Sequence, residues 1–392
     1  MAERNLDFDT VIDRRGTNCI KYDFAKERGY PENVLPLWVA DMDFKTSSYV
    51  EDALKEIAER GIYGYSDTKH DYFEAVSGWL KYRHGWSVEE RWLLKTPGVV
   101  NALTMAVKAY SREGEAVMIQ SPVYYPFGEA VRINSRKLVS NDLILNEKTN
   151  SYEIDFDDFE KKIVENNVKL FLLCSPHNPV SRVWTKEELE RMGDICLKHG
   201  VVVVADEIHS DFDFARKHTV FASIKTEFAQ NSITCTAPSK TFNLASLLLS
   251  NIFIPNDNLW RKFQKQLYAA GISQLSIFGI SATQAAYTHG REWYEAMKRY
   301  VGSNLDFIRD FTNTELSGVK LINHEGTYLA WLDFRALGFS ADELDKRIVE
   351  KAGLWLDSGK IFGKSGEGFQ RINAACPRKT LEEAMNRLKR VL

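Results

Sequence analysis

Thr236-Ala237-Pro238-Ser239-Lys240-Thr241-Phe242-Asn243-Leu244 follows the run Ser232-Ile233-Thr234-Cys235 and leads into another apolar stretch. The pattern places Lys240 in a tight turn at the end of a buried strand, not on a solvated helix face. Burial disfavours an ammonium and lowers its pKa. A neutral amine in such a turn attacks a carbonyl and holds a cofactor as a Schiff base. Most lysines beside Thr or Ser only face water, so the weight of this segment depends on what the rest of the chain brings to it.

Strand and helix patterns alternate around it. Helical spacing of apolar residues runs from Tyr49 to Arg60, from His70 to His84 and from Val99 to Tyr110. Short apolar strands are expected at Ala116–Gln120, Val168–Cys174, Val201–Ala205, Ser232–Thr236 and Asn251–Ile254. Thr185 and Glu188 form a capping-box pair that opens a helix to His199. Such alternation predicts an α/β fold with a mostly parallel sheet covered on both faces. Ligands of such sheets bind beyond the carboxyl ends of the strands, where loops distant in sequence converge.

After about residue 290 the pattern changes. A long helical stretch leads to strand-like runs at Val319–Ile322 and Tyr328–Phe334. A helix near Ser340–Lys351, a strand at Phe369–Asn373 and a last helix from Thr380 follow, with Glu383 completing a second capping box. These elements predict a smaller α+β domain. The expected division is a large domain over 46–288 and a small one built from 1–45 and 289–392.

Several polar residues fall at strand ends. Asp206 closes the four-valine run Val201–Val204 plus Ala205. It either caps the next turn or serves as a fixed anion for a pyridinium nitrogen. His209 follows it and either hydrogen-bonds nearby oxygens, Asp206 included, or is structural. Ser175-Pro176-His177-Asn178-Pro179 is a rigid turn whose asparagine can donate to a phenolate oxygen, though plain Asn-Pro turns are common. Thr96-Pro97-Gly98-Val99-Val100 opens a helix, and free N–H groups at a helix start suit a phosphate, to which Ser239 can add a hydroxyl. Tyr124 and Tyr125 either stack on an aromatic ring or pack in the core. Arg371, inside a strand, needs an anion: a structural carboxylate or a substrate's.

Composition excludes other classes. Of 392 residues, 44% are hydrophobic and 27% charged, as in ordinary globular proteins, and the length calls for two domains. A net charge of −3 gives no basis for a nucleic-acid or anionic-membrane partner. Cys19, Cys174, Cys196, Cys235 and Cys376 are scattered and odd in number, so no disulfide framework or zinc cluster is expected. No apolar run reaches membrane-spanning length and the start is polar, which predicts a cytoplasmic protein. A zinc site of Asp206, His209 and His177 lacks any His-Glu-x-x-His or cysteine set to support it.

Taken together, the motifs resemble the pyridoxal-phosphate enzymes of the aspartate aminotransferase fold (fold type I), and among them the C–S β-lyases of the cystalysin and MalY/PatB type. The resemblance extends from Pro36-Leu37-Trp38-Val39-Ala40-Asp41-Met42-Asp43-Phe44 and Gly64-Tyr65-Ser66 to Ser121-Pro122-Val123-Tyr124-Tyr125-Pro126-Phe127. It continues through Ser175–Pro179, Asp206-Glu207-Ile208-His209, Ala237–Asn243, Glu325-Gly326-Thr327-Tyr328 and Arg371-Ile372-Asn373. It implies pyridoxal 5′-phosphate carried on Lys240, with Asp206 on the ring nitrogen, Asn178 on the phenolate oxygen and Tyr124 on the ring. It further implies a cofactor contact for His209, a phosphate site of Gly98, Val99, Val100 and Ser239, and a substrate site of Arg371, Val39 and Ala40. Tyr65 would reach the neighbouring subunit's cofactor in a homodimer.

The implied activity is α,β-elimination from cysteine S-conjugates such as cystathionine, with Lys240 moving the Cα proton and Tyr124 or Tyr125 protonating the departing sulfur. An aminotransferase uses nearly the same residues. A regulatory binding protein that retains the fold is a further alternative. The family usually has glycine where this chain has Ser181 and Ser246, and a serine at positive φ costs about 1 kcal/mol or more. Ala237 also lacks the hydroxyl that many fold-type I enzymes carry there.

Overall fold

The computed structural model describes residues 2–392. A seven-stranded sheet runs in the order Leu93–Thr96, Ser250–Phe253, Ser232–Thr236, Val202–Asp206, Leu170–Cys174, Ala116–Ile119 and Lys137–Ser140. Only Ser250–Phe253 is antiparallel to its neighbours. The carboxyl ends at Thr96, Ile119, Cys174, Asp206 and Thr236 therefore share one edge of the sheet.

Both faces of this sheet are buried, as the near-continuous apolar runs require. Along Leu170–Cys174 the side chains alternate: Leu170, Leu172 and Cys174 join one hydrophobic cluster, Phe171 and Leu173 another. The helix Lys186–Lys198 covers one of these clusters and starts at the expected capping box, with Glu188 N donating to Thr185 Oγ1 at 3.1 Å and Thr185 N to Glu188 Oε2 at 2.8 Å. The helix Val99–Tyr110 begins where the sequence indicated, immediately after Gly98.

A four-stranded antiparallel sheet, in the order Lys320–Leu321, Leu329–Asp333, Phe369–Asn373 and Asp357–Ser358, forms the C-terminal part. The N-terminal segment runs back onto it: Leu35–Pro36 pairs in parallel with Leu354–Trp355. Phe8, Leu37 and Met42 share a hydrophobic cluster with Leu329, Ile372 and Leu388, and the same cluster takes in Tyr72, Trp79 and Ile280. The lysine-bearing half and the C-terminal half thus share a continuous core.

Two local expectations are corrected. The last helix spans Arg378–Lys389 and starts at Pro377, with no side-chain cap, so the second capping box does not form. Pro377 takes the N-cap position three residues before Thr380, which leaves Thr380 inside the first turn. The helix expected over Ser340–Lys351 is regular only over Ala341–Lys346 and then widens into a π-type turn, Arg347–Lys351. The edge strands Leu93–Thr96 and Lys137–Ser140 had no clear sequence signal; Lys95 and Lys137 break their apolar pattern.

Candidate active site

The strand ends enclose a cavity of about 210 Å³ lined by Gly98, Tyr124, Asn178, Asp206, Ser239 and Lys240, with Ala40, Val99, Val100 and His209 also on its wall. Ten of the residues singled out from sequence therefore meet in one place, although they come from segments spread across two hundred positions.

Lys240 sits in a single helical turn, Pro238–Thr241, that follows the strand Ser232–Thr236 directly. Proline at the first helical position fixes the turn without losing a hydrogen bond. The next residue anchors it from behind: Thr241 Oγ1 donates to the buried Asp211 Oδ2 at 2.7 Å. Asp211 also accepts from Trp79 Nε1 at 3.0 Å and Arg83 Nε at 3.1 Å. Lys240 Nζ donates to the carbonyl of Ala40 at 2.6 Å. Desolvation lowers the amine to about 8, against the pull of Asp41, which raises it.

Asp206 is buried at the end of its strand, and the one hydrogen bond its carboxylate receives within the described residues comes from Ile208 N at 3.1 Å. Desolvation raises it to about 7, opposed by that bond and by the charge of Lys240. His209 makes no bond to it. The His209 ring stands edge-on to Tyr328 at 5.8 Å, with Nδ1 buried and unpartnered, and desolvation holds it neutral. His177, on the Asn-Pro turn, turns its Nε2 to the Pro122 carbonyl at 3.0 Å and not toward Asp206.

Asn178 and Arg371 are in direct contact: Arg371 Nη1 donates to Asn178 Oδ1 at 2.9 Å. A guanidinium only donates, so this bond fixes the amide orientation and leaves Nδ2 as the donor that this cavity-lining residue can offer. Arg371 Nη2 donates to the Trp38 carbonyl at 2.8 Å and is ion-paired with Asp357. At the other end of the cavity, Gly98 has φ 153° and ψ 156°, a backbone state essentially confined to glycine, and it opens the helix Val99–Tyr110. The unpaired N–H groups of that first turn are a built-in anion site, with Ser239 across from them on the cavity wall.

Tyr124 lines the cavity and touches Tyr125, their ring centroids 5.1 Å apart. Desolvation raises both hydroxyls, so both keep their protons at neutral pH. Val39 stands beside the cavity wall, its carbonyl accepting from Asn373 Nδ2 at 2.8 Å. Tyr65 does not reach the cavity of its own chain and is 94% exposed.

Of the two unusual serines, one occupies a strained position. Ser181 has φ 61°, whereas Ser246 lies in the short turn Ala245–Leu247 outside the left-handed region. There the positive φ falls on Leu248 instead, at 51°. Ser181 Oγ donates to the Leu329 carbonyl at 2.9 Å, a bond glycine has no group to make.

Sequence reasoning passed over Asp357, Asp211 and Asn243. Asn243 Oδ1 accepts from Met42 N at 2.9 Å while its Nδ2 donates to the carbonyls of Met42 and Phe44 at 2.9 and 3.1 Å. Asn243 lies in the opening segment, and its side-chain amide was the available signal; nothing local distinguished Asp357.

The family model for aminotransferase class I and II matches residues 32–388. The chain belongs to this family. It is 43% identical to cystathionine beta-lyase PatB of Bacillus subtilis (strain 168) over 388 residues, covering 99% of this chain and 100% of that one. Cystalysin from Treponema denticola, whose crystal structure contains pyridoxal 5′-phosphate, superposes with a TM-score of 0.94 at 36% identity, over 98% of each chain. A PLP-bound putative aminotransferase from Clostridium difficile 630 gives a TM-score of 0.95 at 42% identity, again over 98% of each chain. The class I and II aminotransferase fold accounts for the shared strand edge at which Lys240, Asp206 and Asn178 meet.

Proposed function

We propose that this chain is a pyridoxal-phosphate-dependent carbon–sulfur β-lyase that cleaves cysteine S-conjugates such as cystathionine to pyruvate, ammonia and a thiol. The observation that carries it is a lysine amine lowered to about 8, facing the same cavity as Asp206 and Asn178. This occurs in a chain 43% identical, end to end, to a cystathionine beta-lyase.

The residues present fit the cofactor. Asp206 is a buried carboxylate at which a protonated ring nitrogen would relieve the desolvation cost. Asn178 Nδ2 is left to donate to a phenolate oxygen because its Oδ1 is taken by Arg371. Gly98, the N–H groups of Val99 and Val100, and Ser239 would hold the phosphate. Tyr124 would lie against the ring, with His209 as a neutral neighbour. When bound, the cofactor supplies the electron sink for a carbanion at the substrate Cα.

The chain's own groups supply the rest. Arg371 grips the α-carboxylate, with Val39 and Ala40 beside it. Lys240 Nζ, partly unprotonated near neutral pH, takes the Cα proton. Tyr124 or Tyr125, protonated, gives a proton to the leaving sulfur. Tyr65 of a second copy completes the cofactor site in a homodimer. Its 94% exposure, beside Ile62 at 77% and Tyr63 at 60%, supports a partner that covers this loop. Free thiols and the absence of any helix long and apolar enough to cross a membrane, among the described residues, support a cytoplasmic setting. The domain division at 45/46 and 288/289 stands as part of the same proposal.

Incubation of the cofactor-loaded protein with cystathionine, with no keto acid added, is expected to release pyruvate. Turnover that requires an added keto acid would instead establish the aminotransferase reading, which the similarity to the Clostridium difficile protein favours.

A further inference from the structure

The arginine that grips the substrate carboxylate already holds one. Asp357 and Arg371 are directly opposed residues on the antiparallel strands Asp357–Ser358 and Phe369–Asn373. Both are buried, and Arg371 Nη2 is ion-paired with Asp357 Oδ2. No other ion pair holds Asp357 among the described residues. Both terminal nitrogens of the guanidinium also hold neutral acceptors. Nη1 donates to Asn178 Oδ1 at 2.9 Å, Nη2 also donates to the Trp38 carbonyl at 2.8 Å, and Nε is buried without a partner.

We propose that Asp357 is a resident carboxylate that occupies Arg371 between substrates and so sets how tightly the site takes an α-carboxylate. The proposal rests on the lyase reading for Arg371's role. A substrate carboxylate approaching Arg371 meets a guanidinium half neutralised and a fixed like charge beside it, in surroundings that screen poorly. A buried guanidinium with no anion would be strongly disfavoured between turnovers, so the same carboxylate keeps the fork in place. Asp357 is thus a positioning residue, with an affinity cost built into it. Burial pushes its carboxyl up to about 6 even though Arg371 pulls it down, in line with a pair that is only partly compensated.

The discriminating variant is Asp357→Asn, which keeps the shape and an acceptor oxygen for Nη2 but removes the charge. Asp357→Ser is the second variant, should the amide disturb folding as judged by circular dichroism, and Asp357→Glu is the charge-retaining control. Propionate, an unreactive carboxylate, is titrated by calorimetry into the cofactor-loaded protein, and KM for S-methyl-L-cysteine is measured alongside. Propionate is expected to bind about tenfold tighter to the Asn and Ser variants than to the wild type or the Glu variant. KM is expected to fall in parallel, with the change in KM and not in kcat. Unchanged or weaker propionate binding in the neutral variants overturns the proposal, as does failure of every form to bind propionate. If propionate shifts as expected but the wild type releases no pyruvate, the lyase reading falls and the role of Asp357 stands.

Discussion

Lys240 Nζ and the carbonyl oxygen of Ala40 lie 2.6 Å apart across 200 positions of sequence. The same carbonyl accepts from Tyr328 Oη at 2.9 Å, and the segment around it is clamped by Asn243 and Asn373. The N-terminal segment therefore acts as a fixed rest for the amine, and it brings Asp41 close enough for its charge to act on Lys240.

In the cofactor-free protein, acylation of Lys240 is expected to follow a midpoint near pH 8, below the usual lysine value of about 10.4. Lys240→Ala supplies the blank. Because the charge of Asp41 raises the amine, Asp41→Asn should move the midpoint lower still. A midpoint that stays put or rises in that variant would remove Asp41 from the account.

Asp206 carries a pKa raised from 3.8 to about 7 in the folded, cofactor-free protein. Between those values the folded state holds a proton that the unfolded state has released. Its contribution therefore favours folding at the acid end and fades as pH rises toward about 7. Relative to wild type, Asp206→Asn should gain stability as pH rises from about 4 to about 7, measured as the difference in urea midpoints. A difference that is flat across this range would contradict the buried, raised carboxyl.

Asp211 gathers Thr241, Trp79 and Arg83 around one buried carboxylate. Asp211→Ala leaves these donors short of an acceptor and is expected to cost about 3–5 kcal/mol, within the range for breaking a buried pair. It should also loosen the Lys240 turn, read as weaker cofactor retention on dialysis. A stable variant that loses cofactor would separate anchoring from folding; a stable one that retains it would show that Thr241 is held by other means.

Ser181 offers a matched comparison. Ser181→Gly relieves a positive φ of 61° but loses the bond to the Leu329 carbonyl, two effects of about 1 kcal/mol each and opposite sign. The variant should therefore melt close to wild type. Ser181→Ala keeps the backbone strain and loses the bond, so it should be the less stable of the two. Because neither variant carries the hydroxyl, the reverse order in thermal melts would mean that the positive φ at this position stores no strain.

Much of the site could be read from sequence because its chemistry is concentrated at strand ends. Asp206 ends a strand run, and Asn178 and Lys240 each follow one by four residues; runs of five or so residues are what a buried parallel strand produces. The residues that escaped notice act through tertiary contact alone. Asp357 and Arg371 meet because two short antiparallel strands place them opposite one another, and no local pattern encodes that register. Asp211 looked like any loop acid until the fold brought Trp79 and Arg83 to it. The second capping box failed for a similar reason: the spacing was present, but Pro377 started the helix earlier.

The bond between Arg371 and Asn178 spans 193 positions, and this has a consequence for biosynthesis. Every residue that lines the cavity, from Ala40 to Ser250, leaves the ribosome well before Arg371. A nascent chain thus holds every residue of the cavity wall before it holds Tyr328, Arg371 and Asn373. Those three fix Ala40, Asn178 and Val39 in place, and long-range contacts of this kind form late. The site is therefore finished by its last strand, Phe369–Asn373, and truncation before that strand leaves its parts without their clamps.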